Sequence, residues 1–176
     1  MRMEIPSIRF TSDLPMRSDG VSETLPREPS RAAGAGKIRR LAYSDLPAVI
    51  SIERRSFPTP WSLAMFVLEL SKPSGICLAA TVEDELVGYL VCSRYDQVWH
   101  LMNVAVAPER RRGGVARSLI AKLVEEGGGD LPFTLEVRVS NRPAITMYER
   151  LGFRSAGVRP RYYQDNGEDA LIMWLD

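Results

Sequence analysis

The sequence predicts an α/β fold (α+β in its finer ordering), a mixed sheet of about seven strands flanked by about four helices. Three observations carry this. Strand-length apolar runs, several with a period of two, alternate with segments whose apolar residues recur at helical spacing. The order is one strand, two helices, three strands, then helix, strand, helix and two strands, which interleaves both element types in one layered domain. Of the 176 residues, 45% are hydrophobic and 26% charged, ordinary composition for a packed core, and no repeats break the chain up.

The elements follow in order. Residues 1–36 carry Pro6, Pro15, Pro26 and Pro29, five arginines and five acidic residues, and end in Ala32-Ala-Gly-Ala-Gly36. With no sustained period, they read as a flexible leader, without the apolar core of a secretory signal and too acidic for a transit peptide. The domain is expected over 37–176. Lys37 to Ala42 is a short strand. Ser44-Asp45 is expected to cap a helix bearing Leu46, Val49, Ile50 and Ile52, with Pro47 tolerated in its first turn. Phe57-Pro-Thr-Pro-Trp61 ends that helix, and Ser62 caps the next, to about Leu70. Ile76–Val82 and Leu86–Arg94 form a hairpin. Trp99–Ala107 is a strand stopped by Pro108, and Gly114–Glu126 a helix stopped by Gly127-Gly-Gly129. Phe133–Val139 is a strand, Asn141–Leu151 a helix closed by Gly152, and Phe153–Val158 and Ala170–Leu175 are the last strands.

Composition excludes several function classes. With 23 basic and 22 acidic side chains the net charge is +1, which argues against holding nucleic acid or anionic lipid by bulk charge. No run approaches the roughly 18 apolar residues of a membrane span. Cys77 and Cys92 lie in apolar strands without metal or redox spacing, so reduced buried thiols and a cytoplasmic location are expected. A lone His100 leaves little room for a His-based metal site, and no metal is expected.

Two segments carry chemistry. Asn103 to Ala116 takes an apolar strand through Pro108 into a loop rich in Arg and Gly, and then into a helix. Such a loop directs unpaired N–H groups at one point, and the helix dipole adds positive potential there. Gly113 and Gly114 remove side chains that would hold an anion away. A solvated basic turn is the competing reading. The spacing matches neither a Walker loop nor a dinucleotide fingerprint, so the ligand is some other phosphate-bearing molecule. In the second segment, strand alternation puts Leu135, Val137 and Val139 on one face and Glu136 and Arg138 on the other. Glu136 faces solvent or a site, where an elevated pKa would make it a usable base. Asn141 stands where a helix cap belongs. Tyr148 lies on an apolar helical stripe, a position more often core than catalytic.

Together these segments resemble the Gcn5-related N-acetyltransferases, whose cofactor loop Gln/Arg-x-x-Gly-x-Gly/Ala is similar to Arg111-Arg-Gly-Gly114-Val-Ala116. Leu135-Glu-Val-Arg, Ser140-Asn141, Ala144-Ile145, Tyr148-Glu149, Gly152-Phe153 and Tyr162-Tyr163 resemble the ribosomal-protein-alanine N-acetyltransferases of the RimI type, as do Glu53, Phe57-Pro58 and Trp61-Ser62. The likeness spans residues 38–175. It departs at Gly113, at Ala116 in place of the commoner Gly, and at Pro143, all small or tolerable at their positions.

The resemblance implies the acyl-CoA N-acyltransferase fold and a direct transfer from acetyl-CoA to the N-terminal amine of a protein, a small-subunit ribosomal protein beginning with Ala. It implies that Val104, Ala105 and Val106 meet the pantetheine arm. The N–H groups of Arg111, Arg112, Gly113, Gly114, Val115 and Ala116 would hold the pyrophosphate, and Asn141 would bond the cofactor. Glu136 would be the general base and Tyr148 the general acid, with no metal. Phe57, Trp61, Tyr162 and Tyr163 would line the peptide groove, although the tyrosines also fit a packed hairpin tip. Other readings are an acetyltransferase of lysine side chains or small amines, or a non-catalytic acyl-CoA-binding partner. Neither nucleic acid nor membrane is an expected partner.

Overall fold

The structure is a computed structural model that describes residues 36–176; the leader expected over 1–36 lies outside them except for Gly36. In chain order the elements are β1 (Lys37–Arg40), α1 (Leu46–Ser56), α2 (Leu63–Ser71), β2 (Gly75–Val82), β3 (Glu85–Tyr95), β4 (Val98–Val106), α3 (Val115–Gly127), β5 (Phe133–Arg138), α4 (Arg142–Arg150), β6 (Arg154–Tyr163) and β7 (Glu168–Leu175). The seven strands form one sheet in the order β1-β2-β3-β4-β5-β7-β6. Every neighbouring pair is antiparallel except β4–β5.

Each helix lays its apolar stripe on one face of the sheet. Leu46, Val49 and Ile52 of α1 and Phe66 of α2 pack with Cys77, Ala79, Tyr89, Val91 and Ala105. On the other face, Leu119, Ile120 and Leu123 of α3 and Ile145 and Tyr148 of α4 pack on Leu78, Leu90, Leu101 and Leu135. Burying each such aliphatic side chain is worth ~1.5–3 kcal/mol. Both cysteines are free and buried, and burial pushes the Cys77 thiol up to about 11. No helix among the described residues is long and apolar enough to cross a membrane.

The helix ends follow from local chemistry, with one correction. Ser62 Oγ accepts the Met65 N–H at 3.4 Å and caps α2 as expected. Asp45 does not cap α1 with its side chain. It accepts the Ala42 N–H at 2.8 Å and the Arg39 guanidinium at 2.6 and 2.8 Å, so it ties the helix start to β1 instead. Gly152, at φ +94°, ends α4, with its N–H on Glu149 O and the Phe153 N–H on Tyr148 O.

Three irregularities shape the site. First, Val91 opposes Asn103 but Cys92 opposes Leu101, so Met102 is an extra residue on β4. The alternation changes phase there: Trp99 and Leu101 precede it on the α3/α4 face, and Val104 and Val106 follow it on the same face. Second, β4 and β5 pair only through Trp99↔Phe133, His100↔Thr134 and Leu101↔Leu135. Beyond these, Met102–Val106 and Glu136–Arg138 have no ladder between them. Third, β6 continues past the expected end at Val158 to Tyr163. Between the pairs Arg159↔Ala170 and Tyr163↔Glu168, residues 160–162 face only Asp169. Arg161 turns through φ +52° and donates its N–H to Asp169 Oδ1 at 2.8 Å, which absorbs Pro160 without ending the strand. Tyr162 and Tyr163 therefore sit at the end of a bulged strand, where Tyr163 O accepts the Gly167 N–H at 2.8 Å and closes the β6–β7 turn.

Candidate active site

The gap between β4 and β5 leads to the loop before α3. Val104, Ala105 and Val106 pair with β3 on one side, opposite Leu90, Tyr89 and Gly88, and have no strand on the other. An extended ligand with amide groups can meet that open backbone edge as a strand would. At the end of the edge, Arg112 has φ +64° and Gly114 φ +82°. The N–H groups of Arg112, Gly113, Gly114, Val115, Ala116 and Arg117 have no hydrogen-bond partner among the described residues. Alternating left-handed residues before a helix N-terminus form an anion-binding concavity. A Cβ at Gly114 would meet nothing within 4 Å, so it is the positive φ that calls for glycine there.

Arg111 departs from its expected place in this cradle. Its N–H goes to Pro108 O at 3.4 Å, its Nε to Val106 O at 3.2 Å and its Nη2 to Ser56 Oγ at 3.1 Å. It fastens the loop to β4 and α1, and the free N–H groups begin at Arg112. Across from the loop, Asn141 Oδ1 accepts the Ala144 N–H at 3.3 Å and caps α4, which leaves its amide Nδ2 free to donate.

Glu136 is the first residue of β5 past the paired stretch. Its side chain is 6% exposed, with Oε2 2.5 Å from His100 Nε2 and Oε1 3.5 Å from Arg159 Nη1. Burial is the largest influence and would raise its pKa. The His100 hydrogen bond and charge, with Arg159, outweigh burial and hold the carboxyl below its ordinary value. The elevated pKa expected from the sequence is thus corrected: Glu136 is a firmly ionised carboxylate.

Tyr148 is 5% exposed, its ring edge-on to Phe153 at 5.6 Å. Burial, then the neighbouring Tyr163, push its phenol up, so it keeps its proton at neutral pH. Tyr163, which raises the Tyr148 phenol, is itself raised by burial foremost and also by the charge of Glu136. Tyr162 meets Tyr163 edge-on at 5.2 Å, and Arg138 lies 3.9 Å above the Tyr163 ring. Arg138 also holds Asp165 at 2.8 Å and Glu168 at 3.0 Å, which secures the β6–β7 turn beside the tyrosines.

Phe57 and Trp61 belong to a separate cluster. Both pack against the α1/α2 core, with Trp61 5.3 Å from Phe66. Their loop is held by Glu53, which is 1% exposed. Glu53 accepts the Trp61 N–H at 2.8 Å, the Tyr89 hydroxyl, and the Asn103 amide at 3.3 Å. Sequence reasoning missed this junction and the His100–Glu136 contact. The signal for the first was a carboxylate on the apolar stripe of α1, one position past Ile52.

An open strand edge running into an N–H cradle, with an ionised carboxylate and a protonated phenol beside it, defines an acyltransferase that uses an acyl-CoA donor. The residues fit that donor: the cradle suits its pyrophosphate and the edge its amide-bearing arm. The chain belongs to the acetyltransferase (GNAT) family, whose model matches residues 46–153, and it is an acetyl-CoA-dependent N-acetyltransferase. It is 36% identical over 139 residues to [ribosomal protein bS18]-alanine N-acetyltransferase of Salmonella typhimurium, covering 77% of this chain and 93% of that protein. The crystal structure of the ribosomal-protein-S18-alanine N-acetyltransferase from Escherichia coli superposes with a TM-score of 0.73 at 35% identity, over 79% of this chain and 92% of that one. An N-alpha-acetyltransferase of Sulfurisphaera tokodaii is 33% identical over 152 residues, 78% of this chain and 90% of that protein.

Proposed function

We propose that this enzyme transfers the acetyl group of acetyl-CoA to the N-terminal α-amine of a protein, namely an N-terminal alanine of a small-subunit ribosomal protein, in the cytoplasm. The observation that carries the reading is the ionised Glu136 at the point where β4 and β5 part, beside the paired tyrosines of β6. Identity of 35–36% over 77–78% of this chain to enzymes named for bS18-alanine supports the choice of substrate.

Each residue has a part in this mechanism. Gly113, Gly114, Val115 and Ala116, with the Arg112 N–H, hold the pyrophosphate, and Val104, Ala105 and Val106 align the arm along β4. Asn141 contributes its free amide, and Arg111 keeps the loop in register with β4. An α-amine has a pKa of roughly 7.7–8.0, so much of it arrives protonated at pH 7. The negative charge of Glu136 favours loss of that proton toward solvent, and the neutral amine attacks the thioester carbonyl. As the tetrahedral intermediate collapses the C–S bond breaks, and the amine's second proton balances the one taken up by the departing thiolate. Tyr148 donates to the departing sulfur. Because burial raises its pKa, it acts as a hydrogen-bond donor that stabilises the thiolate more than as a strong acid. Phe57 and Trp61 on one side and Tyr162 and Tyr163 on the other line the approach of the peptide.

The test is mass spectrometry of a panel incubated with enzyme and acetyl-CoA: peptides starting with Ala, Ser and Met, an internal-lysine peptide and a polyamine. Acetylation of the Ala-starting peptide at its α-amine is expected. Acetylation of the polyamine or the lysine alone overturns the reading.

A further inference from the structure

We infer that His100 is the group that takes the proton from the incoming ammonium, with Glu136 as its fixed counter-ion; this rests on the N-terminal acetyltransferase reading and deepens it. Both oxygens of Glu136 are engaged, Oε2 by His100 Nε2 at 2.5 Å and Oε1 by Arg159 at 3.5 Å. The carboxylate is also the less accessible partner, 6% exposed against 20% for the imidazole. His100 Nδ1 makes no hydrogen bond among the described residues and is not sealed from solvent.

Register places the pair where the chemistry needs it. His100 pairs with Thr134 one step before β4 and β5 part, and Glu136 is the first β5 residue past the parting. The charged and titratable groups facing the pair are Tyr95 of β3, edge-on to the imidazole at 6.3 Å, and Arg159, Tyr162 and Tyr163 of β6. An ionised carboxylate on Nε2 fixes the Nε2–H tautomer and leaves the Nδ1 lone pair free. An imidazole with a free lone pair can accept a proton directly, whereas both oxygens of Glu136 are already engaged.

The proton step balances within these groups. One N–H bond of the ammonium breaks as an N–H bond forms at Nδ1. The electron pair left on the amine nitrogen is the nucleophile, and the positive charge passes to an imidazolium held against Glu136. The imidazolium later returns its proton to solvent.

The full-length enzyme, His100→Gln and Glu136→Gln are assayed against pH with acetyl-CoA and the Ala-starting peptide. His100→Gln is expected to lower kcat by ~10²–10³-fold with the KM for acetyl-CoA unchanged, its rate then tracking the fraction of neutral α-amine and so falling more steeply toward acid than that of the wild type. His100 is the only histidine in the sequence, so imidazole NMR reads its tautomer without any turnover. The Nε2–H form is expected in the wild type, with its carboxylate-bonded proton signal lost in Glu136→Gln. An Nδ1–H tautomer, or a His100→Gln enzyme with wild-type rate and pH profile, overturns the inference. A wild type that acetylates no peptide overturns the function reading alone, and the tautomer then decides the pairing.

Discussion

Replacing Glu53 tests how the α1–α2 loop is held. In Glu53→Ala three donors lose their acceptor at once: the Trp61 N–H, the Tyr89 hydroxyl and the Asn103 amide. A buried donor left unsatisfied costs ~1–3 kcal/mol, and the three share one site, so their costs do not simply add. Three unsatisfied buried donors, discounted for sharing one site, make a loss of ~3–5 kcal/mol the expectation here. For a domain of this size it corresponds to a fall in Tm of roughly 6–20 °C. Glu53→Gln keeps the shape and one carbonyl oxygen, and the Tyr89 hydroxyl can rotate to accept the new amide N–H, so its loss is expected near 1 kcal/mol. Urea unfolding followed by circular dichroism measures both variants. Peptide KM should rise in Glu53→Ala, because the loop bearing Phe57 and Trp61 loses its anchor, while acetyl-CoA KM stays constant. If Glu53→Ala costs under ~1 kcal/mol, or no more than Glu53→Gln, the network does not hold the loop.

Three further outcomes are expected. Tyr148→Phe should cut kcat by ~10–10³-fold with an unchanged unfolding curve, since the ring keeps its contact with Phe153; a wild-type kcat removes the donor role. Gly114→Val places a β-branched residue at φ +82° and should raise the KM for acetyl-CoA about tenfold or more, read by initial rates, whereas an unchanged KM removes the cradle. The third concerns acid stability. Hydrogen bonds from Ser140 foremost, then Arg138 and Asn166, hold the Glu168 carboxyl at about 2, and Glu136 and Asp45 are likewise lowered. Groups with depressed folded pKa values contribute stability that is fully present above ~4.3 and is lost as pH falls through the folded value. Tm should therefore hold steady down to about pH 4.5 and fall steadily below it, less steeply in Glu168→Gln; a flat Tm to about pH 2.5 contradicts the assignment.

Much of the fold was legible because its punctuation is local. The Ser62 and Asn141 caps, the stop at Gly152 and the apolar stripes of α1, α3 and α4 each lie within a few residues of the element they set. What escaped depends on register between distant segments. His100 and Glu136 stand 36 residues apart and meet only because β4 and β5 pair in parallel at one offset. The change of phase at Met102 needs the β3 partner before it can be seen. Pro160 reads locally as the end of a strand, and only the Asp169 side chain across the pair shows how the strand continues. For the carboxylate of Glu136, the sequence shows burial but not the His100 and Arg159 neighbours that outweigh it.

The short pairing between β4 and β5 has a mechanical consequence. Among the described residues these strands are the only parallel junction, and β1–β4 and β5–β7 are stitched together there by three residue pairs and the packing of the helices on either face. In the proposed placement, a donor along Val104–Val106 with its phosphates on the α3 loop would splint that junction, completing the sheet with bonds the polypeptide itself does not supply. Such a donor would be a structural brace as well as a reagent, and its binding to the folded chain alone should raise the melting temperature with its concentration.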